Sequence, residues 1–277
     1  MSFGGLRVLS LESRRAAEID LLIRKQGGDP FVAPSVKERA LEDHTDAFRL
    51  LDELELGEIE LLVLMTGVGL AFWLDVIRSR HPAGRAEEAL RKTKLLARGP
   101  KPSAILRPLG LTPDLTIPEP NTWREIVEAM QHRPERRLGI QEYGRPNPEF
   151  VEALRALGIH AETFALYRWE LPDDTSNLRQ AAQGLAAYQF DVVLFTSSIQ
   201  FEHLLAISKE MEIEERVLRA LREYAVVASV GPIMTAAIEE GGVKVDIVPS
   251  SPKMGALVKA ASDDSASVLA AKRRQAR

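Results

Sequence analysis

The sequence predicts an α/β protein built of two similar domains, each a parallel sheet flanked by helices. Short apolar runs rich in β-branched residues alternate with helical segments along most of the chain. That order gives parallel sheets covered on both faces. The series of elements recurs with an offset of about 130 residues, the scale of a duplicated domain and not of a solenoid unit. Two Gly-Pro turns, Gly99-Pro100 and Gly231-Pro232, take corresponding places in the two copies.

Residues 6–11 form the first strand, and Glu12-Ser13 can cap the helix over 14–26, whose stripe is Ala17, Ile19, Leu22 and Ile23. Gly27-Gly28 ends that helix, and residues 29–34 return as a strand. Residues 35–53 hold a crossing segment and a surface helix. A buried strand at 60–64 leads through Thr66-Gly67-Val68-Gly69 into an apolar helix over 70–77, and 81–88 is expected as a loop. The strand at 93–97 enters Arg98-Gly99-Pro100 and a helix that stops at Gly110. A strand-like stretch at 111–117 precedes a helix over 122–130.

At Arg137 the series begins again: strand 137–141, a turn at Tyr143-Gly144-Arg145-Pro146, helix 149–157 stopped by Gly158, and strand 160–167. The apolar run 191–195 has the length and composition of a buried strand. Thr196, Ser197 and Ser198 then supply hydroxyls where an N-cap belongs, and Ile199, Phe201, Leu204 and Leu205 continue at helical spacing. Thr66 falls opposite Thr196, and Gly110 opposite Gly241. The basic tail, residues 262–277, reads as a helical extension or a frayed end.

Composition narrows the function. The 277 residues exceed one compact domain, and 45% hydrophobic with 27% charged residues describe a soluble globular protein. A formal charge of −4 argues against general nucleic-acid binding. The absence of cysteine excludes disulfides, thiolate catalysis and zinc–thiolate sites. Five histidines are scattered without ligand spacing, so no metal site is expected. No apolar run approaches the roughly 18 residues of a membrane span and no signal peptide is visible, so no membrane association and a cytoplasmic location are expected. The third glycine of a dinucleotide fingerprint is replaced by Phe72, and no phosphate-binding loop motif is present.

The chemistry-bearing features are the turns. Each copy presents a Thr turn (Thr66-Gly67, Thr196-Ser197-Ser198) and a Gly-Pro turn (Arg98-Gly99-Pro100, Ser229-Val230-Gly231-Pro232). A strand running into a helix aims backbone N–H groups and partial positive charge at one spot, which suits a carboxylate or phosphate. In an open parallel sheet such turns lie beyond the carboxyl ends of the strands, where ligands sit. Two such domains facing each other would form a cleft suited to a multiply charged small anion. Arg14, Arg98, Lys101, Arg145 and Arg168 lie at or near these turns. Tyr143 and Tyr167 flank the expected cleft, where a phenol can donate a proton or pack.

In order and spacing, these pieces resemble the uroporphyrinogen-III synthases. The signals are Asp191-Val-Val-Leu-Phe-Thr-Ser-Ser198, Val230-Gly231-Pro232 with its helix ending at Gly241, the Tyr143-Gly144 turn and Leu166-Tyr167-Arg168. The resemblance implies two α/β domains joined by a two-stranded ladder with a cleft between them, residues 1–36 with 172–277 forming one and 37–171 the other. It implies a monomer without cofactor or metal that closes the linear tetrapyrrole hydroxymethylbilane to uroporphyrinogen III, inverting the last ring and losing water. Tyr167 matches the tyrosine that would assist departure of the hydroxyl. Arg14, Thr66, Gly67, Arg98, Gly99, Lys101, Tyr143, Gly144, Ser197, Ser198, Ser229 and Gly231 would hold the carboxylates. Met234 occupies the place where many relatives carry threonine, and Pro102 the equivalent place in the first half, which leaves a second reading: a non-catalytic tetrapyrrole- or anion-binding regulatory module on the same fold.

Overall fold

The computed structural model describes residues 2–275. The chain opens with β1 (Arg7–Ser10), α1 (Ala16–Lys25) and β2 (Asp29–Val32), then β3 (Lys37–Ala40) and α2 (Thr45–Leu56). β4 (Leu61–Leu64), α3 (Gly67–Arg80), α4 (Arg85–Lys92), β5 (Lys94–Ala97) and α5 (Pro100–Leu106) follow; a 3₁₀ turn then leads to left-handed Gly110, with φ 67°. Next come β6 (Leu115–Thr116), α6 (Trp123–Met130), β7 (Arg137–Gln141), α7 (Pro148–Ala156), β8 (His160–Phe164) and β9 (Tyr167–Glu170). The remainder is α8 (Ser176–Ala186), β10 (Val192–Phe195), α9 (Ser198–Glu210), α10 (Glu214–Glu223), β11 (Val226–Ser229), α11 (Pro232–Glu240) and α12 (Met254–Gln275). Among the described residues no helix is long and apolar enough to cross a membrane.

The strands form two parallel sheets, ordered β11-β10-β1-β2 and β6-β5-β4-β7-β8, and β3 pairs with β9 in an antiparallel ladder. The chain divides into two compact units, residues 1–37 with 170–277 and residues 38–169. Within them β10 and β11 correspond to β4 and β5, and β1-α1-β2 corresponds to β7-α7-β8. The copies read along the sequence are therefore not the folding units. Each unit combines the β-α-β of one copy with the following elements of the other.

Near-continuous apolar strands are needed because both faces of each sheet are covered. In the first unit Leu9, Val193, Phe195 and Val227 point to the face under α8–α11. Val8, Val192, Leu194 and Val226 point to the face under α1 and α12. In the second, Leu62 and Leu64 face α2–α4, while Leu61 and Val63 face α6 and α7. The alternation is the period of two that a pleated strand imposes.

Several local expectations are corrected. Residues 85–92, inside and beyond the expected loop, are α4, entered through left-handed Gly84 (φ 90°). Its buried stripe is only Ala86, Ala89 and Leu90, too thin to stand out among charged neighbours. The stretch 160–167 is two strands, broken where the Ala165 N–H turns to donate to Asp46 Oδ2 (2.8 Å). Ser13 does not cap α1; its Oγ accepts from the N–H groups of Ser35 and Val36 (3.1 and 2.9 Å). Of the two readings of the tail, the helical extension holds for its described part. It continues α12, whose Lys272 donates to Leu221 O and Asp246 (2.8 and 2.6 Å), and Arg273 reaches Asp191 (2.7 Å).

Candidate functional site

In the second unit, β4 enters α3 through Thr66, an extended N-cap (φ −144°, ψ 149°) whose Oγ1 accepts from Gly69 N–H at 3.0 Å. Gln141 ends the adjacent strand β7, in register with Leu64, and is fully buried. Its Oε1 accepts the Thr66 N–H (3.1 Å), while its Nε2 donates to Thr66 Oγ1 (3.2 Å) and to the Glu142 carbonyl. A Cβ on Gly69 would stand 1.9 Å from Gln141 Nε2, so only glycine admits the amide there. A Cβ on Gly67 would stand 2.8 Å from the Lys101 carbonyl, which sets how closely α3 approaches α5.

Tyr167, the first residue of β9, lies with its hydroxyl 3.2 Å from Thr66 Oγ1 and its ring 5.9 Å from that of Phe72. Arg98 leaves β5 with its N–H on Leu64 O (3.1 Å) and its guanidinium 5.0 Å above the Tyr143 ring. No carboxylate pairs with Arg98 among the described residues. Burial pushes the guanidinium below its ordinary pKa, opposed by the charges of Tyr143 and Tyr167; as an arginine it remains charged. The turn after it is held by Asn121 (φ 58°), whose amide nitrogen donates to Ile117 O and Arg98 O at 2.7 and 3.0 Å. A Cβ on Gly99 would come within 2.8 Å of that amide. The Tyr143 ring meets Trp169 edge-on at 5.5 Å, and left-handed Gly144 (φ 83°) packs so closely on Trp169 that a Cβ would lie 2.6 Å from its ring.

The first unit repeats the Thr turn with a different charge. Gln200 Oε1 accepts the Thr196 N–H (2.8 Å) and Nε2 donates to Thr196 Oγ1 (2.8 Å), as Gln141 does for Thr66. The Thr196 hydroxyl then donates to the Glu12 carboxylate, whose other oxygen accepts the Arg15 N–H (3.2 Å). An internal carboxylate thus stands at this turn, whereas the second unit carries a guanidinium, Arg98, at its Gly-Pro turn. Ser197 is the N-cap of α9 but makes no side-chain cap bond, and Ser198 is buried in the first turn. Ser229 is fully buried: its N–H donates to Ile247 O (3.0 Å), and its Oγ lies 2.6 Å from Thr235 Oγ1. Gly231, extended at φ 169°, caps α11 ahead of Pro232. Its counterpart Gly99 has φ 179° ahead of Pro100.

The fold therefore gathers Thr66, Gly67, Arg98, Gly99, Tyr143, Gly144 and Tyr167 in the second unit. Ser197, Ser198, Ser229 and Gly231 form the corresponding turns of the first. Arg14 and Lys101 are exposed side chains. Reading the sequence singled out the turns but passed over Gln141, Asn121, Gln200 and the ring of Phe72. The available signal for Gln141 was a polar residue closing an otherwise apolar strand, whose partner lies 75 residues away.

The sequence profile of the family described as uroporphyrinogen-III synthase HemD matches residues 17–259. The chain belongs to this family. A Bacillus subtilis (strain 168) protein, YjjA, described only as uncharacterized, is 25% identical over 261 residues, covering 92% of this chain and 94% of its own. The crystal structure of a mutant uroporphyrinogen III synthase from Thermus thermophilus superposes with a TM-score of 0.67 at 22% identity, covering 92% of this chain and 96% of that one. The enzyme of Helicobacter pylori 26695, described as a uroporphyrinogen-III synthetase, gives 0.56 at 12% identity, covering 92% and 97%. At those identities the two structures establish the fold.

The two positions at which the sequence departs from the resembled pattern, Met234 and Pro102, are both buried. Met234, where a threonine resembling the family pattern would stand, is 3% exposed and packs in the core beneath α11. The neighbouring Thr235 hydroxyl turns back to the Gly231 carbonyl (3.1 Å). Pro102 is likewise buried, in the first turn of α5. Neither Gly-Pro turn presents a hydroxyl from those two places, so what they offer an anion is backbone N–H groups.

Proposed function

We propose that this chain is an active uroporphyrinogen-III synthase, converting hydroxymethylbilane to uroporphyrinogen III and water. The observation that carries the reading is the convergence, within a fold of this family, of Tyr167, Thr66 and the Arg98 guanidinium, which no carboxylate pairs among the described residues. In the proposed reaction the Tyr167 phenol protonates the terminal hydroxyl of the bilane, which leaves as water. The resulting electrophilic carbon is attacked by the last pyrrole at its substituted position, giving a spiro intermediate that fragments and recloses with that ring inverted. The positive charge of Arg98 interacts with the phenol and favours its anionic form while the proton is away. The bilane is reactive enough to cyclise unaided, so positioning and charge stabilisation carry the catalysis.

Carboxylates of the substrate would meet Arg98 and the helix N-termini at the turns of the second unit, with Lys101 as an exposed outer contact. Monomeric action in the cytoplasm belongs to the same proposal. The second reading, a binding module without the chemistry, draws on Glu12, since a carboxylate at the Thr196 turn weakens anion binding there. Supplying hydroxymethylbilane and separating the oxidised porphyrins distinguishes the two. The synthase yields the type III isomer above the enzyme-free background, and a binding module leaves only type I.

A further inference from the structure

We propose that Gln141 is a positioning residue that fixes the direction of the Thr66–Tyr167 hydrogen bond, so that Thr66 donates and Tyr167 accepts. A threonine hydroxyl has one hydrogen and two lone pairs. Thr66 Oγ1 receives the Gly69 N–H at 3.0 Å and the Gln141 amide at 3.2 Å, which occupies both lone pairs. Its remaining capacity is to donate, and Tyr167 OH lies 3.2 Å away.

The Gln141 amide cannot be turned to undo this. Its Oε1 must face the Thr66 N–H, and its Nε2 must face the Glu142 carbonyl as well as Thr66 Oγ1. The first unit supplies an internal precedent. There Gln200 holds Thr196 in the same way, and the Thr196 hydroxyl bonds a carboxylate of Glu12, which only accepts when ionised. In both units a glutamine amide donates to the threonine oxygen, and in the first the threonine hydrogen goes to a carboxylate.

The consequence lies at Tyr167. A phenol that accepts from Thr66 directs its own hydrogen elsewhere, and its anion is favoured by the hydrogen bond it receives. Both properties suit a group that gives up a proton and takes it back. The inference rests on the proposed role of Tyr167, but its physical content can be measured without substrate.

The test places 3,5-difluorotyrosine at position 167 and follows its titration by ¹⁹F NMR. Thr66→Val removes the donor while keeping the shape. Gln141→Met removes the amide and lets Thr66 accept instead. Arg98, whose charge acts on the same phenol, is unchanged in both. Each substitution is expected to raise the Tyr167 titration point by about half to one pH unit, and Thr66→Ser to restore it. An unchanged or lowered point in Thr66→Val overturns the assignment, because it means that Tyr167 donates. If the chain makes uroporphyrinogen III, Gln141→Met also lowers kcat about tenfold with little change in KM. Failure of the synthase reading would leave the titration result standing.

Discussion

Arg98 carries the sharpest conflict between stability and function at a single residue. A guanidinium is taken from water, stacks on one phenol ring, Tyr143, and finds no carboxylate among the described residues. Arg98→Gln is therefore expected to leave the thermal midpoint unchanged or raise it, while KM for the bilane rises at least about tenfold. A lowered midpoint with unchanged KM would make Arg98 a structural residue. Tyr167→Phe should slow turnover far more than it weakens binding, since the ring still packs on Phe72 and only the proton is lost. Gly69→Ala drives a methyl into the Gln141 amide and should cost about 2–3 kcal/mol in denaturant unfolding.

At this scale the sequence disclosed Arg98, Tyr143 and Tyr167, because charged and phenolic residues beside turns announce themselves. Gln141 and Asn121 stayed hidden. Each acts on a turn formed by a distant segment, and a local pattern such as a polar residue at a strand end does not reveal which partner the fold brings to it.

Among the elements, strands and their parallel order were the most legible, because β-branched apolar runs bounded by Gly, Pro and Thr turns have few other solutions. The paired turns were legible for the same reason: Gly99-Pro100 and Gly231-Pro232 adopt the same extended glycine and Pro-first helix in both units. Helix α4 was not, since its three buried residues lie among charges. The end of α12 was undecided because its hold is polar and non-local. Lys272 is 11% exposed, bonded to Asp246 and to the carbonyl of Leu221 in α10. Burial pushes the Lys272 pKa down while Asp246 opposes the shift. Lys272→Ala leaves Asp246 half-satisfied and should cost about 1–3 kcal/mol in urea unfolding. A loss within about 0.3 kcal/mol would show that the helix end adds nothing to the unit.

For the whole molecule, two units built from exchanged halves of a duplicated chain explain why the same turn chemistry appears twice. Duplication supplies the geometry, and a few substitutions then differentiate it: Arg98 in one unit, Glu12 in the other. Global stability also has a distinct acid limb. Burial raises the Glu135 pKa, but hydrogen bonds from Arg133 and Lys94 (2.9 and 2.7 Å) outweigh it and hold the carboxyl at about 2 against an ordinary 4.5. A folded pKa below the unfolded value means stability that is present above about 4.5 and lost as pH falls toward about 2. Glu135→Gln should therefore lower stability by about 1–2 kcal/mol at pH 7, a deficit that shrinks across that window and is measurable by urea midpoints.

The central claim is that Tyr167, Thr66 and Arg98 direct a bilane through ring inversion, and the isomer ratio of the product tests it most directly. With hydroxymethylbilane as substrate, the wild-type chain should give predominantly type III porphyrin after oxidation, and Tyr167→Phe a mixture shifted strongly toward type I. A wild-type product indistinguishable from the enzyme-free type I background would contradict the account.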